Sequence, residues 1–165
     1  MTEIESRIQE LVDQFRRIGA MQMRDLPIYN ACLEVEAVGF QALGDRWIGV
    51  LITPWFMNAI LLPPARTTLD ARGIGQKSQE ALPAATCAFI GSGDETVGGY
   101  KSLSLHSPMD AFTSQDSARH EAQARLSALL TPPAAMPEPA LTTQSPQPAS
   151  AKLSRRAFLR GRRNA

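Results

Sequence analysis

The sequence predicts an α+β fold: an antiparallel sheet of two hairpins packed with N- and C-terminal helices, followed by a disordered C-terminal tail. Three observations predict it. Apolar residues recur at the helical spacing of three and four at both ends of the first 130 residues. Between them, runs of β-forming residues alternate with turn signals rich in Gly, Asp and Pro. Beyond Leu130 the composition changes to Pro, Ala, Ser, Thr and Gln. The 165 residues are 44% apolar and 20% charged, the balance of a globular protein. About 130 residues are enough for one compact core and too few for two.

Taken in order, Thr2 and Glu5 form a capping-box pattern that satisfies free N–H groups at a helix start. Ile4, Ile8, Leu11, Val12, Phe15 and Ile18 then make one apolar stripe, read as core packing, and Gly19 is a natural stop. Residues 21–29 read as a connector closed by Leu26-Pro27. Residues 31–41 alternate loosely, Leu43-Gly44-Asp45 is a turn signal, and residues 47–53 are rich in β-formers, which together make a hairpin. Residues 58–62, between Pro54 and Pro63-Pro64, suit a third strand after a tight bend. Residues 66–82 are polar, with a helix expected around 76–81. Residues 84–90 and 97–105 flank Gly91-Ser92-Gly93-Asp94-Glu95 and form the second hairpin. Ser114 or Thr113 caps a last helix whose apolar positions are Ala118, Ala122, Leu126 and Leu129, with Phe112 placed as a hydrophobic staple.

This order gives a globular domain over residues 1–130. Residues 131–151 contain six prolines and follow as a flexible tether, because they cannot bury enough apolar surface to offset their ordering. Residues 152–165 form a basic tail peptide of six cations without an acid. Of the 17 cations and 16 acids in the chain, 11 cations and all 16 acids remain in residues 1–151, a net −5. A basic tail on an acidic body is either a latch or a peptide offered to a partner. Nucleic acid is not an expected partner, since the body has no basic face and six cations alone bind phosphates without specificity.

Catalytic and metal-binding patterns do not stand out. Cys32 and Cys87 lie 55 residues apart, outside any CxxC or zinc spacing, and read as small buried hydrophobes. His120 has Asp116 and Glu121 nearby, but a lone histidine on a charged helix face is normally solvated. His106 has no Cys or Ser partner in a nucleophile setting. The glycines at 91–98 lack the Lys-Ser/Thr ending of a phosphate loop and suit a hairpin turn better. The acidic start of the chain does not read as a signal peptide, and no apolar run is long enough to span a membrane, so a cytoplasmic location without stable membrane insertion is expected. The chain is therefore not expected to be an enzyme, and no cofactor or metal is expected.

Two segments exceed this bland reading. In Ile52-Thr-Pro-Trp-Phe-Met-Asn-Ala-Ile-Leu-Leu-Pro63, neither period can point Trp55, Phe56 and Met57 all inward, so at least one is expected at the surface. With Pro54 they form a candidate partner-binding surface, against the alternative that a bend tucks Trp55 and Met57 into the core. Trp47, on the expected strand, reads as core. In the tail, Ser154-Arg-Arg-Ala-Phe-Leu-Arg-Gly161 looks like a twin-arginine export consensus, yet no apolar region follows it. Against the bland reading of a cationic tail, it suits a docking peptide with Arg155 and Arg156 as anchors and Phe158 and Leu159 filling a pocket.

The first of these segments resembles the central signature of the HybE/HupJ family of nickel–iron hydrogenase assembly chaperones, and Arg155-Arg-Ala-Phe-Leu-Arg-Gly161 resembles that family's C-terminal Arg-Arg-x-x-Leu-x-Gly element. Leu26-Pro27-Ile28-Tyr29, Leu103-Ser104-Leu105 and Ser107-Pro108-Met109 fall between them in the family's order. The resemblance implies a non-catalytic chaperone that attends the hydrogenase large subunit before export, with the small subunit or other maturation factors as further partners. Some relatives carry a fused rubredoxin-like domain with two iron-binding CxxC pairs; neither pair is present here, so no iron is implied. The tether is longer and richer in proline than the family pattern. The alternative reading is a twin-arginine-system-associated factor that uses its tail as a signal-peptide mimic.

Overall fold

The computed structural model describes residues 2–67 and 72–133. The expected capping box is formed: the Thr2 N–H donates to Glu5 Oε2 at 2.7 Å and the Glu5 N–H donates to Thr2 Oγ1 at 3.3 Å. It starts α1 (Glu3–Ile18), whose Leu11 and Val12 are buried. Gly19 ends the helix but stays right-handed, and the chain winds on through a π turn, Gly19–Met23, closed by the Arg24 N–H donating to the Gly19 carbonyl at 2.9 Å.

Six strands follow: β1 (Glu36–Leu43), β2 (Arg46–Ile52), β3 (Met57–Leu62), β4 (Lys77–Ala81), β5 (Thr86–Asp94) and β6 (Gly98–His106). All are antiparallel neighbours in the order β1-β2-β3-β6-β5-β4, so two three-stranded meanders join through β3 and β6. The expected hairpins and third strand are present. The expected helix at 76–81 is not; β4 lies there instead. Its sequence is polar because it is an edge strand, and pairing with β5 overrides its weak strand propensity. Glu80, on β4, is 8% exposed and accepts hydrogen bonds from Arg46 and, at 2.8 Å, from Lys101.

The second helix, α2 (Gln115–Leu130), is capped by Ser114, whose Oγ accepts from the Ser117 N–H at 3.1 Å. The helices cover opposite faces of the sheet. Ile48, Val50 and Ile52 of β2 and Met57, Ala59 and Leu61 of β3 pack with Ala118, Ala122 and Leu126 of α2. The alternate residues Leu51, Ile60 and Leu62 pack with Leu11 and Val12 of α1, as the two-residue period of a strand requires. A bulge in β1 lets α2 close on the sheet: Gly39 has φ +68°, and a Cβ there would lie 2.6 Å from Leu126 Cδ2. Arg119 then pairs with Glu36 of β1 at 2.8 Å, and its hydrogen bonds hold that carboxyl below its ordinary range.

Candidate partner-binding surface

The bend between β2 and β3 is set by Thr53. Its Oγ1 accepts from the backbone N–H groups of Trp55 (3.3 Å) and Phe56 (2.9 Å), while its own N–H donates to the Phe56 carbonyl at 2.8 Å. This side-chain turn aims consecutive residues in different directions. Met57 enters the α2 side of the core and is fully buried, whereas Trp55 and Phe56 turn toward α1. There they form an aromatic cluster with Phe15 and Tyr29, at centroid separations of 5.5–6.4 Å.

The sequence left the placement of this segment open, and the structure puts most of it inside. Pro54 and Met57 are enclosed, Trp55 is 8% exposed and Phe56 is half-buried. Thus Pro54 and Met57 support the bend from within rather than presenting side chains to solvent. Trp47, expected in the core, is half-buried, and Trp55 is the more enclosed of the two tryptophans. The physical reason is Gly19: a Cβ at that position would lie 3.2 Å from Trp55 Cζ3, so the bare backbone at the end of α1 gives the indole a place to pack.

The short motifs converge on this bend. The Asn30 N–H donates to the Pro54 carbonyl at 2.8 Å, and Asn30 Nδ2 donates to the carbonyls of Met109 (2.9 Å) and Phe112 (2.8 Å). Tyr29 stacks on Trp55. His106 lies edge-on to Phe112 at 4.8 Å and contacts the Pro108 carbonyl through Nδ1, beside the cis Ser107-Pro108 bond. Residues 28–30, 53–57 and 106–112 are therefore one structural unit. Nothing in the sequence around Asn30 marks it as the residue that joins them.

A second feature was missed because residues 21–29 read as a connector. They are wound into consecutive turns and expose Met21 (77%), Leu26 (44%) and Ile28 (47%), three of the five large hydrophobics most exposed among the described residues. Three large apolar residues in a stretch with neither helical nor strand period were the available signal. Beside them, Arg16, Arg24, Tyr29, Glu34 and Trp55 line a groove of about 380 Å³.

The remaining candidates are structural. The Glu80 carboxyl is held down to about 2, chiefly by the hydrogen bond from Lys101, with that from Arg46 contributing, and burial opposes them. Burial and the neighbouring Asp94 push the Tyr100 hydroxyl up. His120 is exposed, and its nearby carboxylates are taken by arginines: Asp116 by Arg119 at 2.6 Å and Glu121 by Arg125 at 2.7 Å. Cys32 is exposed and Cys87 half-buried, not the buried pair expected, because residues 31–32 lie in a turn outside the core and Cys87 packs at its margin. Among the described residues, no three of His, Cys, Asp and Glu gather as metal ligands, and no helix is long and apolar enough to cross a membrane. Arg155, Arg156, Phe158, Leu159 and Gly161 lie outside the described residues.

The chain is similar to known proteins over most of its length. It is 42% identical over 151 residues to the hydrogenase expression/formation protein HupJ of Bradyrhizobium diazoefficiens, covering 92% of this chain and 85% of the relative. It is 38% identical to the hydrogenase expression/formation protein HoxT of Azotobacter vinelandii, over 92% and 94% of the two chains. The solution structure of HybE from Escherichia coli superposes with a TM-score of 0.62 at 24% identity, over 77% of this chain and 78% of that one, which shows the shared fold. The family described as NiFe-hydrogenase assembly, chaperone, HybE matches residues 6–161, a span that takes in both the 52–63 segment and the arginine-rich element of the tail. This chain belongs to that family of hydrogenase assembly chaperones.

Proposed function

We propose that the protein is a non-catalytic cytoplasmic chaperone that binds the large subunit of a nickel–iron hydrogenase before export, with the small subunit or other maturation factors as further partners. The observation that carries this reading is the match to the assembly-chaperone family over residues 6–161. The exposed apolar turns at 21–28, beside a groove whose lining includes Tyr29 and Trp55, support it as a surface for polypeptide. The carboxylates near His120 and the buried Glu80 are all engaged by cations, which leaves them poor candidates for acid–base work.

In this reading residues 1–130 are the chaperone domain and 131–151 a flexible tether. Residues 152–165 are then a docking peptide whose Arg155, Arg156, Phe158, Leu159 and Gly161 meet an acidic, apolar pocket on a partner.

The test is co-purification of the tagged full-length chain from cells that make the hydrogenase, with and without residues 152–165. Recovery of the large-subunit precursor is expected. Recovery of a translocase component in its place would favour a twin-arginine-associated factor, and recovery of neither would defeat the proposal.

A further inference from the structure

The turns at 21–28 and the groove beside them have a definite chemical character. Apolar surface comes from Met21, which lies in the π turn that follows α1, a distortion often found at functional sites, and from Leu26 and Ile28 in the turns beyond it. The groove next to them is lined by Trp55 and Tyr29, whose rings stack, and Trp55 also packs against Phe15 and Phe56. Its walls carry two guanidinium groups, Arg16 and Arg24, and one carboxylate, Glu34, from a different stretch of chain. Among the described residues, Arg17 and Arg24 make no ion pair or hydrogen bond through their side chains, and the Arg16 side chain pairs with Asp13 at 3.5 Å. Asp25 lies next to Arg24 in sequence. The walls are therefore net cationic by one charge on a body whose residues 1–151 sum to −5.

We infer that this groove and the apolar turns beside it are the site that takes the client polypeptide, and that the bound segment is apolar and carries a carboxylate. The carboxylate meets Arg16 and Arg24, for which a guanidinium fork is the natural partner, and the apolar side chains lie on Met21, Leu26 and Ile28. Met21 and its neighbours adapt to different apolar shapes, while the rigid aromatic lining limits the entropy lost on binding. The inference rests on the chaperone reading for the identity of the client, but the chemistry of the segment follows from the groove. A signal peptide with paired arginines would bring like charges against Arg16, Arg17 and Arg24. So the segment is not that peptide. Two copies of this chain meeting patch to patch across a two-fold axis would face the same arginines toward each other. A membrane would not reach into a groove in which Trp55 is 8% exposed.

The test uses the full-length chain and a random peptide display library, so that the surface is examined independently of the hydrogenase. Selections are run on the natural sequence, on Met21→Ser combined with Ile28→Ser, and on Arg24→Glu. All three substituted side chains are exposed, so thermal melting should stay unchanged. Peptides enriched in apolar residues with Asp or Glu are expected, their binding read by the change in tryptophan fluorescence, to which Trp55 and Trp47 contribute. Affinity should fall at least tenfold on either variant. No enrichment, enrichment in Lys and Arg, or an affinity on either variant unchanged from that of the natural chain would overturn the inference. So would a dimer in light scattering that the variants dissolve, or sedimentation with anionic phospholipid vesicles that they abolish. Failure of the natural chain to recover hydrogenase subunits would count against the chaperone reading alone.

Discussion

The indole of Trp55 stacks on the phenol ring of Tyr29, with centroids 6.2 Å apart and the planes 23° from parallel. This contact joins the bend after β2 to the turns after α1. It requires the absent side chain of Gly19, whose Cβ would lie 3.2 Å from the indole. A residue with the look of a binding anchor is thus built into the lining of a groove.

Trp55→Ala should therefore destabilise the fold by about 3 kcal/mol or more, as large-to-small substitutions in a packed site do. Trp47→Ala, at a half-buried strand position, should cost less than half as much. Urea midpoints with unchanged slopes are the measurement, and equal losses at the two tryptophans would contradict the packing described.

Asn30 donates from one amide nitrogen to two carbonyls, those of Met109 and Phe112. Asn30→Asp keeps the shape and removes both donors while bringing a charge close to those oxygens. A loss of about 2 kcal/mol or more is expected, with amide exchange faster around residues 107–112 than in β2. Uniform exchange across the chain would show that Asn30 does not anchor that loop.

The Glu80 carboxyl lies at about 2 in the folded protein against an ordinary 4.5. Its folded value is the lower one, so its stabilisation is fully present above about pH 5 and is lost as pH falls toward 2. A shift of this size corresponds to about 3 kcal/mol. Glu80→Gln should lower stability at neutral pH and flatten the urea midpoint between pH 5 and pH 2. The same acid slope in the variant would assign the pH dependence to other carboxylates.

Replacing Arg155 and Arg156 together by lysine keeps the tail's charge but removes its forked donors. Hydrogenase maturation in cells should fall severalfold, read as large-subunit processing. Normal processing would reduce the tail to a cationic patch.

Much of the architecture was legible because it rests on local chemistry. The Thr2–Glu5 box, the stripe from Ile4 to Ile18 and the 118-122-126 spacing of α2 each follow from neighbours within a few residues. The strands around the Gly44 and Asp94 turns were legible for the same reason. The edge strand β4 was not, since Lys77–Ala81 has no period and becomes a strand only because β5 offers an unpaired edge and Lys101 and Arg46 meet Glu80.

The surface divides in the same way. Sequence alone determined that Pro54-Trp55-Phe56-Met57 was unusual and that the chain resembles hydrogenase assembly chaperones, because motif identity is a one-dimensional property. Only the tertiary structure decided that Trp55 turns inward, that Asn30 ties three loops together, and that Met21, Leu26 and Ile28 face solvent. Those outcomes depend on contacts between residues up to 82 positions apart, such as Asn30 with Phe112, and no local period encodes them. Burial of a side chain is settled by what the rest of the chain places around it.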